Sequence, residues 1–337
     1  MTTSKIALVV TTIQGPNTVM QELAQAAAAV NAVFFVMGDR KSPPGPYQLN
    51  KAEYFSLEQQ HRHFGAFSRQ LPEGHYVRKN LGYLAGLDSG ADWIVETDDD
   101  NFPLANFLHP PKARTPVRRF AGDGWINVYD HFGPTQPIWP RGLPLDKVLQ
   151  AERIISNATD GNVESRIVQG LADDNPDVDA VYRLTRPLPV TFDHKALPLA
   201  LSKGQWCPFN SQNTWFRRDV AALLYLPAYC SFRMTDIWRS FVAQRCLWAM
   251  GSSLIFMAPT VRQERNEHNL MRDFADEVPG YLKNDAIRRC LEGCSLTGHP
   301  LEDLPRCYEA LIQAAIFPRE EAELIRVWIA EIAKRTV

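Results

Sequence analysis

The segment Glu96-Thr97-Asp98-Asp99-Asp100-Asn101 gathers four carboxylates at the end of an apolar run, ADWIV. Like charges this close repel one another, and a bound cation is the usual relief. On an extended segment alternate side chains point the same way, so Asp98 and Asp100 form a D-x-D pair on one side. Such a pair suits Mg2+ or Mn2+, hard ions that take oxygen ligands and keep positions for water and phosphate oxygens. A solvated acidic turn or a helix N-cap cluster is the plainer reading of the same letters.

A nucleotide diphosphate needs cations besides the metal. Arg40 and Lys41 in GDRKSP, and Arg78 and Lys79 in RKN, are candidates. Asp39, at the end of an apolar run, can accept hydrogen bonds from a base or ribose. Neither G-x-x-x-x-G-K-[ST] nor a G-x-G-x-x-G after the first strand is present, which excludes a P-loop ATPase and disfavours a dinucleotide fold. DDNPDVDAVYRL carries Asp173, Asp174, Asp177 and Asp179, readable as a second metal site or, more simply, as solvated loop acids. HFGPTQPIWPRGLP offers His131, Trp139 and Arg141: the tryptophan for stacking on a sugar or for loop packing, the arginine for a phosphate or an acceptor carboxylate. In CPFNSQNTWFRRD, Asn210, Ser211, Gln212 and Asn213 suit sugar hydroxyls or their own loop backbone.

These residues need a scaffold. KIALVVTT, AVFFVMGD and ADWIVETDDD read as strands. NTVMQELAQAAAAV, capped by Asn17, SLEQQHRHFGAFSRQL, capped by Ser56, and YVRKNLGYLAGLDSG, stopped at Gly90, read as the intervening helices. Alternating strands and helices with continuous apolar strands predict a parallel sheet covered on both faces. Ligands then bind beyond the carboxyl ends of the strands. The tails Thr11-Thr12, Gly38-Asp39-Arg40 and Asp98-Asp99-Asp100 are expected to converge on one crevice. Residues 102 to 215 are Pro- and Gly-rich and less regular; helical patterning returns near 219, broken by the strand SSLIFMAPTV, and residues 280 to 337 read as helices. The amphipathic EEAELIRVWIAEIAKR is expected on its own core, with a second chain as the alternative.

Lys and Arg number 36 against 38 Asp and Glu, a net charge of −2, without the basic excess of a nucleic-acid binder. No stretch reaches the ~18–20 apolar residues of a membrane span. The N-terminus lacks a signal-peptide pattern, and the six cysteines form no C-x-x-C pair; a cytoplasmic chain with reduced thiols is expected, with a zinc site or a disulfide set as the alternative.

The blocks VVTTIQGP, VMGDRKSP, YFSLEQQ, YVRKNLGYLAGLDSGADWIVETDDDN, INVYDHFG, WPRGLPL, IVQGLADDNPDVDAVYRL, CPFNSQNTWFRRD, MTDIWRSFVAQRCLW and RQERNEHN run in order from residue 9 to about 269. Together they resemble the STELLO-type domain, formerly of unknown function and similar to glycosyltransferases. DVDAVYRL and TDIWRS are more distantly similar to the reversibly glycosylated polypeptides, which are UDP-arabinopyranose mutases. Both resemblances imply a GT-A-like, Rossmann-type α/β fold with a C-terminal helical segment. Residues 1–110 would form the nucleotide-sugar half, 111–278 the acceptor half and 279–337 the helical segment. The resemblance implies a metal-dependent transferase using a nucleotide-sugar donor, UDP-linked by expectation, and a carbohydrate or glycan acceptor. It places Mn2+ or Mg2+ on Asp98 and Asp100, with His268 in NEHN a further ligand. Thr11, Thr12, Asp39, Arg40, Arg78, Asp98 and Asp99 would hold the nucleotide and diphosphate. Arg141, Asn210, Gln212 and Asn213 would face acceptor or sugar, and Asp236 would be the general base of an inverting reaction, or the N-cap of its helix. A UDP-sugar mutase and a non-catalytic scaffold that partners a glycosyltransferase are the alternatives; a homo-oligomer is compatible with each.

Overall fold

The computed structural model describes residues 4–43, 47–149, 159–266 and 269–336. Strand β1 (Ile6–Thr11), helix α1 (Thr18–Ala29), strands β2 (Val33–Met37) and β3 (Ala52–Phe55), helices α2 (Leu57–Gln70) and α3 (Lys79–Asp88) and strand β4 (Trp93–Thr97) follow in that order. Local sequence explains the helix starts. The Asn17 side chain accepts from the Met20 amide at 2.8 Å. Ser56 and Gln59 form a reciprocal capping box.

Beyond β4 follow the short strands β5 (Asn101–Pro103), β6 (Arg114–Arg119) and β7 (Gly124–Trp125), then β8 (Thr159–Glu164), β9 (Ile167–Asp173), helix α4 (Ala180–Thr185), β10 (Leu199–Ala200), β11 (Gln205–Trp206) and β12 (Asn213–Arg217). Helix α5 (Thr235–Ala249), strand β13 (Leu254–Gln263) and helices α6 (Leu270–Glu292), α7 (Pro300–Gln313) and α8 (Glu320–Thr336) complete the chain. The main sheet runs β3-β2-β1-β4-β12-β9-β13-β10-β6-β8, with β5 beside β13; β7 and β11 pair separately. This is a Rossmann-like α/β fold with C-terminal helices. The expected parallel pairing holds across β3, β2, β1 and β4. Strand β12 then enters antiparallel to both β4 and β9. A parallel neighbour needs a long crossover, usually helical, and the middle of the chain supplies few helical residues.

The two faces of β1 enter different cores. Ala7 and Val9 pack with residues of α2, α3, α5 and the C-terminal helices; Ile6, Leu8 and Val10 pack with α1. Helix α3 lies unusually close to the sheet. A Cβ on Gly82 would stand 2.3 Å from Val9 Cγ1, and one on Gly86 2.6 Å from Ile94 Cδ1. Gly82→Ala should therefore destabilise the protein by about 1–3 kcal/mol through overpacking, despite alanine's better helix propensity. Urea unfolding checks this, and Val9→Ala in the same chain should restore much of the loss.

The α8 segment packs inward, as expected. Trp328 is buried and its Nε1 donates to the Ala222 carbonyl at 2.9 Å. Buried Glu321 accepts from the Tyr225 hydroxyl and from the Ala228 and Tyr229 amides. The expected boundary at 278/279 falls inside α6.

Candidate functional site

The sheet explains first how so many acids share one strand end. Glu96, the last acid still within β4, is fully buried and held by Arg239 of α5 through contacts of 2.6 and 3.0 Å, with the Tyr83 hydroxyl donating to it as well. It is a structural anchor that fixes β4 against α5. The three aspartates that follow do not continue the strand. Asn101 N donates to Asp98 O at 3.3 Å, closing a turn between β4 and β5. The expected extended D-x-D geometry is therefore corrected: the turn sends each carboxylate to a different partner. Asp98 meets Lys79 Nζ at 2.8 Å. Asp99 accepts from the Thr12 hydroxyl at 2.5 Å. Asp100 accepts from Gln263 Nε2 at 3.0 Å and faces the Asn266 amide at 3.5 Å.

All three nonetheless line one cavity of about 600 Å3, a size typical of small-ligand sites. The tails of β1 and β2 reach it too, through Thr11, Thr12, Gly38, Asp39, Arg40 and Lys41, so the three strand ends meet as expected. Charge compensation at the turn is incomplete. Burial, then the neighbouring Asp98 and Asp99, push the Asp100 carboxyl up to about 6. Burial likewise raises Asp99, opposed by the Thr12 hydrogen bond. Among the described residues Lys79 is the cation paired with these three acids, and that lysine is fully buried, with Nζ also bonded to Thr97 O and Ser211 O. It braces Asp98 from behind and is not available to a phosphate, contrary to expectation.

Several expected nucleotide ligands are braces of the same kind. Arg78 borders the cavity, but its guanidinium turns into the protein, donating to Gln60, Ser68 and Leu71. Asp39 accepts from the Arg40, Gly74 and His75 amides at 2.7, 2.8 and 3.0 Å, fixing the loop after α2 at the cavity rim. Arg40 is largely exposed and 3.8 Å from Glu73, leaving it free to swing inward.

The opposite wall is built by the loops that follow β7 and β9 and by the start of α5. Arg141 chelates Asp177 with Nε and Nη2, both at 2.8 Å. Its Nη1 and Nη2 reach Asp236 at 3.1 and 2.9 Å, and Nη1 also donates to the Arg233 carbonyl. Asp236 further accepts from the Ser211 amide, the Ile237 amide and the Tyr76 hydroxyl. The Arg141 guanidinium and these donors overcome the cost of burial and hold its carboxyl well below the usual carboxylate range. A carboxylate so stabilised and so fully bonded is a poor proton acceptor. The expected general base is therefore corrected to an anchor for Arg141. Nor is Asp236 an N-cap: α5 begins at Thr235, after Met234.

Ser211 and Gln212 line the cavity. Asn210 and Asn213 do not: Asn210 Oδ1 accepts from the Gln212 amide, and Asn213 Nδ2 donates to Leu171 O and Thr260 Oγ1 inside the sheet. Of the acids of DDNPDVDAVYRL, Asp173, Asp177 and Asp179 are buried and not solvated loop groups. Asp173 accepts from the Phe192 amide and meets His194 Nε2 at 2.6 Å. Asp179 is fully buried, caps α4 through the Tyr182 amide and accepts from Trp139 Nε1. Trp139 packs edge-on against Tyr182, and His131 bonds the Leu197 carbonyl. His268 lies outside the described residues. Sequence reasoning did not find His75, Tyr76, Phe232, Arg183, Arg233, Gln263 or Arg265 as cavity residues. RQERNEHN begins at the end of β13, and that position at a strand end is the signal for its residues.

Do the aspartates suit a divalent ion? Among the described residues no group of three or more His, Cys, Asp or Glu is arranged as a metal cage. An ion held by one or two carboxylates and completed by phosphate oxygens needs no such cage. The under-compensated carboxylates at the cavity wall fit that arrangement.

Residues 233–336 match the family model of the STELLO glycosyltransferases. The chain is 30% identical over 240 residues to "Probable glycosyltransferase STELLO2" of Arabidopsis thaliana, covering 65% of this chain and 31% of that protein. It is 28% identical over 240 residues to "Probable glycosyltransferase STELLO1" of the same plant, with the same coverage. The chain thus spans about a third of the length of these curated relatives. No helix among the described residues is long and apolar enough to cross a membrane. On these matches, the similarity of this chain to the STELLO-type glycosyltransferases is established.

Proposed function

We propose that the protein is a metal-dependent glycosyltransferase of GT-A-like architecture that takes its sugar from a nucleotide-sugar, UDP-linked by preference. The observation that carries this reading is the turn that crowds Asp98, Asp99 and Asp100 onto the wall of the cavity where β1, β2 and β4 end, with Lys79 the cation paired to it among the described residues. Such a site is electrostatically short of a cation. Asp98 and Asp100 would hold Mn2+ or Mg2+, which when bound neutralises charge on the diphosphate leaving group. Lys79 and Gln263 keep the two carboxylates in place. Thr11, Thr12 and the rim braced by Asp39 frame the nucleoside end. Arg40 and Lys41 supply mobile positive charge beside the phosphates. On the facing wall, Ser211 and Gln212 offer polar groups to the sugar, and the Arg141–Asp236 pair keeps that wall rigid.

The test is incubation of the protein with a panel of nucleotide-sugars and Mn2+, followed by product analysis with and without glycan acceptors. Release of UDP from one UDP-sugar, with sugar transferred when an acceptor is added, is expected. A new UDP-sugar isomer formed without acceptor would replace transfer by mutase chemistry, and inertness toward every donor would overturn both.

A further inference from the structure

The acceptor-side wall carries an imbalance opposite in sign to that of the aspartate turn. Four arginines, Arg141, Arg183, Arg233 and Arg265, line the cavity there. Arg141 is fully answered by Asp177 and Asp236. Arg233 pairs with Glu277 at 2.9 Å, and Arg265 with Asp273 at 2.6 Å. Arg183 differs. Among the described residues it makes no ion pair; Nη1 donates to Asn175 Oδ1 at 3.2 Å and Nη2 to Pro176 O at 3.0 Å, both neutral acceptors. Its Nε is buried with no hydrogen-bond partner. A guanidinium left in this state is costly unless an anion completes it. Burial, and then the nearby Arg265, push its pKa down to about 9; Arg233 acts in the same direction, and Asp177 and Glu277 oppose the shift without cancelling it. Burial and Arg233 also lower Arg265. Mutual repulsion among three guanidiniums at one wall is relieved by an oxyanion, for which arginine's fork geometry is suited.

We propose that Arg183, Arg233 and Arg265 form an oxyanion subsite, separate from the donor diphosphate, that selects an acceptor bearing a phosphate-type group. The three come from α4, the turn before α5 and the segment after β13, whereas the donor end is built by β1, β2 and β4. The subsite still adjoins the metal turn, because Arg265 follows by two residues the Gln263 that bonds Asp100. An acceptor held there by its charged group lies beside the donor's diphosphate end. Naming the anion as the acceptor's rests on the donor reading above; the existence of the subsite does not.

Sulfate is the probe, titrated by calorimetry into the full chain already saturated with UDP and Mn2+. One sulfate per chain is expected, with affinity reduced at least tenfold in Arg183→Gln and partly recovered in Arg183→Lys, while affinity for UDP with Mn2+ is unchanged in both variants. Unchanged nucleotide affinity also certifies that the variants are folded. Absence of sulfate binding to the loaded protein would overturn the proposal, as would a loss of nucleotide affinity in folded Arg183→Gln, which would assign the arginines to the donor's own phosphates. If wild-type protein bound sulfate in an Arg183-dependent manner but no nucleotide, the donor reading would fall and the oxyanion subsite would stand.

Discussion

Asp100→Asn should make the ligand-free protein more stable while removing its metal-dependent nucleotide binding. The carboxyl at Asp100 rises from 3.8 to about 6 on folding. A rise of that size corresponds to a folding penalty of roughly 3 kcal/mol at neutral pH. The penalty is absent below the unfolded value, grows as pH rises from about 4 to 6, and is complete above that window. Asparagine removes the charge yet can still accept from Gln263. The variant should gain about 1–3 kcal/mol at pH 7.5, read as a higher urea midpoint, and the gain should shrink as pH is lowered toward 4. Loss of a carboxylate at the cation site should weaken binding of UDP with Mn2+ by at least about a hundredfold. With Asp100 holding the ion as proposed, the proton would compete with the metal for this carboxylate, so the affinity should decline by up to about tenfold per pH unit below 6. A variant destabilised at neutral pH, with nucleotide affinity intact, would mean that Asp100 is structural.

Arg141→Met has the second large effect, in the opposite direction. It strands two carboxylates, Asp177 and Asp236, each less than a tenth exposed, against one another. Removing one partner from a buried charge network costs about 3–5 kcal/mol. In the native protein Asp236 is depressed, so its stabilising contribution is present at neutral pH and is lost as pH falls through its low folded value. In the variant Asp236, buried without its arginine, would instead gain from protonation. The difference between the two proteins should therefore be greatest near pH 7 and narrow below about pH 5. Chemical denaturation across that range decides the role of the arginine. An unchanged unfolding midpoint with lost transfer activity would return Arg141 to the acceptor-binding role expected from sequence.

The fold and the location of the site were largely written in local patterns. Continuous apolar runs marked β1, β2 and β4, and the side chains of Asn17 and Ser56 marked helix starts, because caps act within three residues. Strand β3 was missed, since four residues at a sheet edge carry too little periodicity. The roles inside the site were less legible. Arg78 and Lys79 carry positive charge in the sequence, yet one serves as a brace for α2 and the other for the aspartate turn. Asp236 acquires its role from Arg141, 95 residues away, and Asp100 its strain from a turn where extended backbone was expected. Whether a charged side chain faces a ligand or a partner in the protein depends on tertiary neighbours, which composition and spacing do not encode.

The central claim is that a divalent ion must join the aspartate turn before a nucleotide diphosphate can bind. Equilibrium dialysis of labelled UDP against the chain measures this directly, with Mn2+ in excess on one side of the comparison and a chelator on the other. Bound UDP approaching one per chain with Mn2+, and falling to background with the chelator, is the predicted result; equal binding in both conditions, or none in either, would contradict the account.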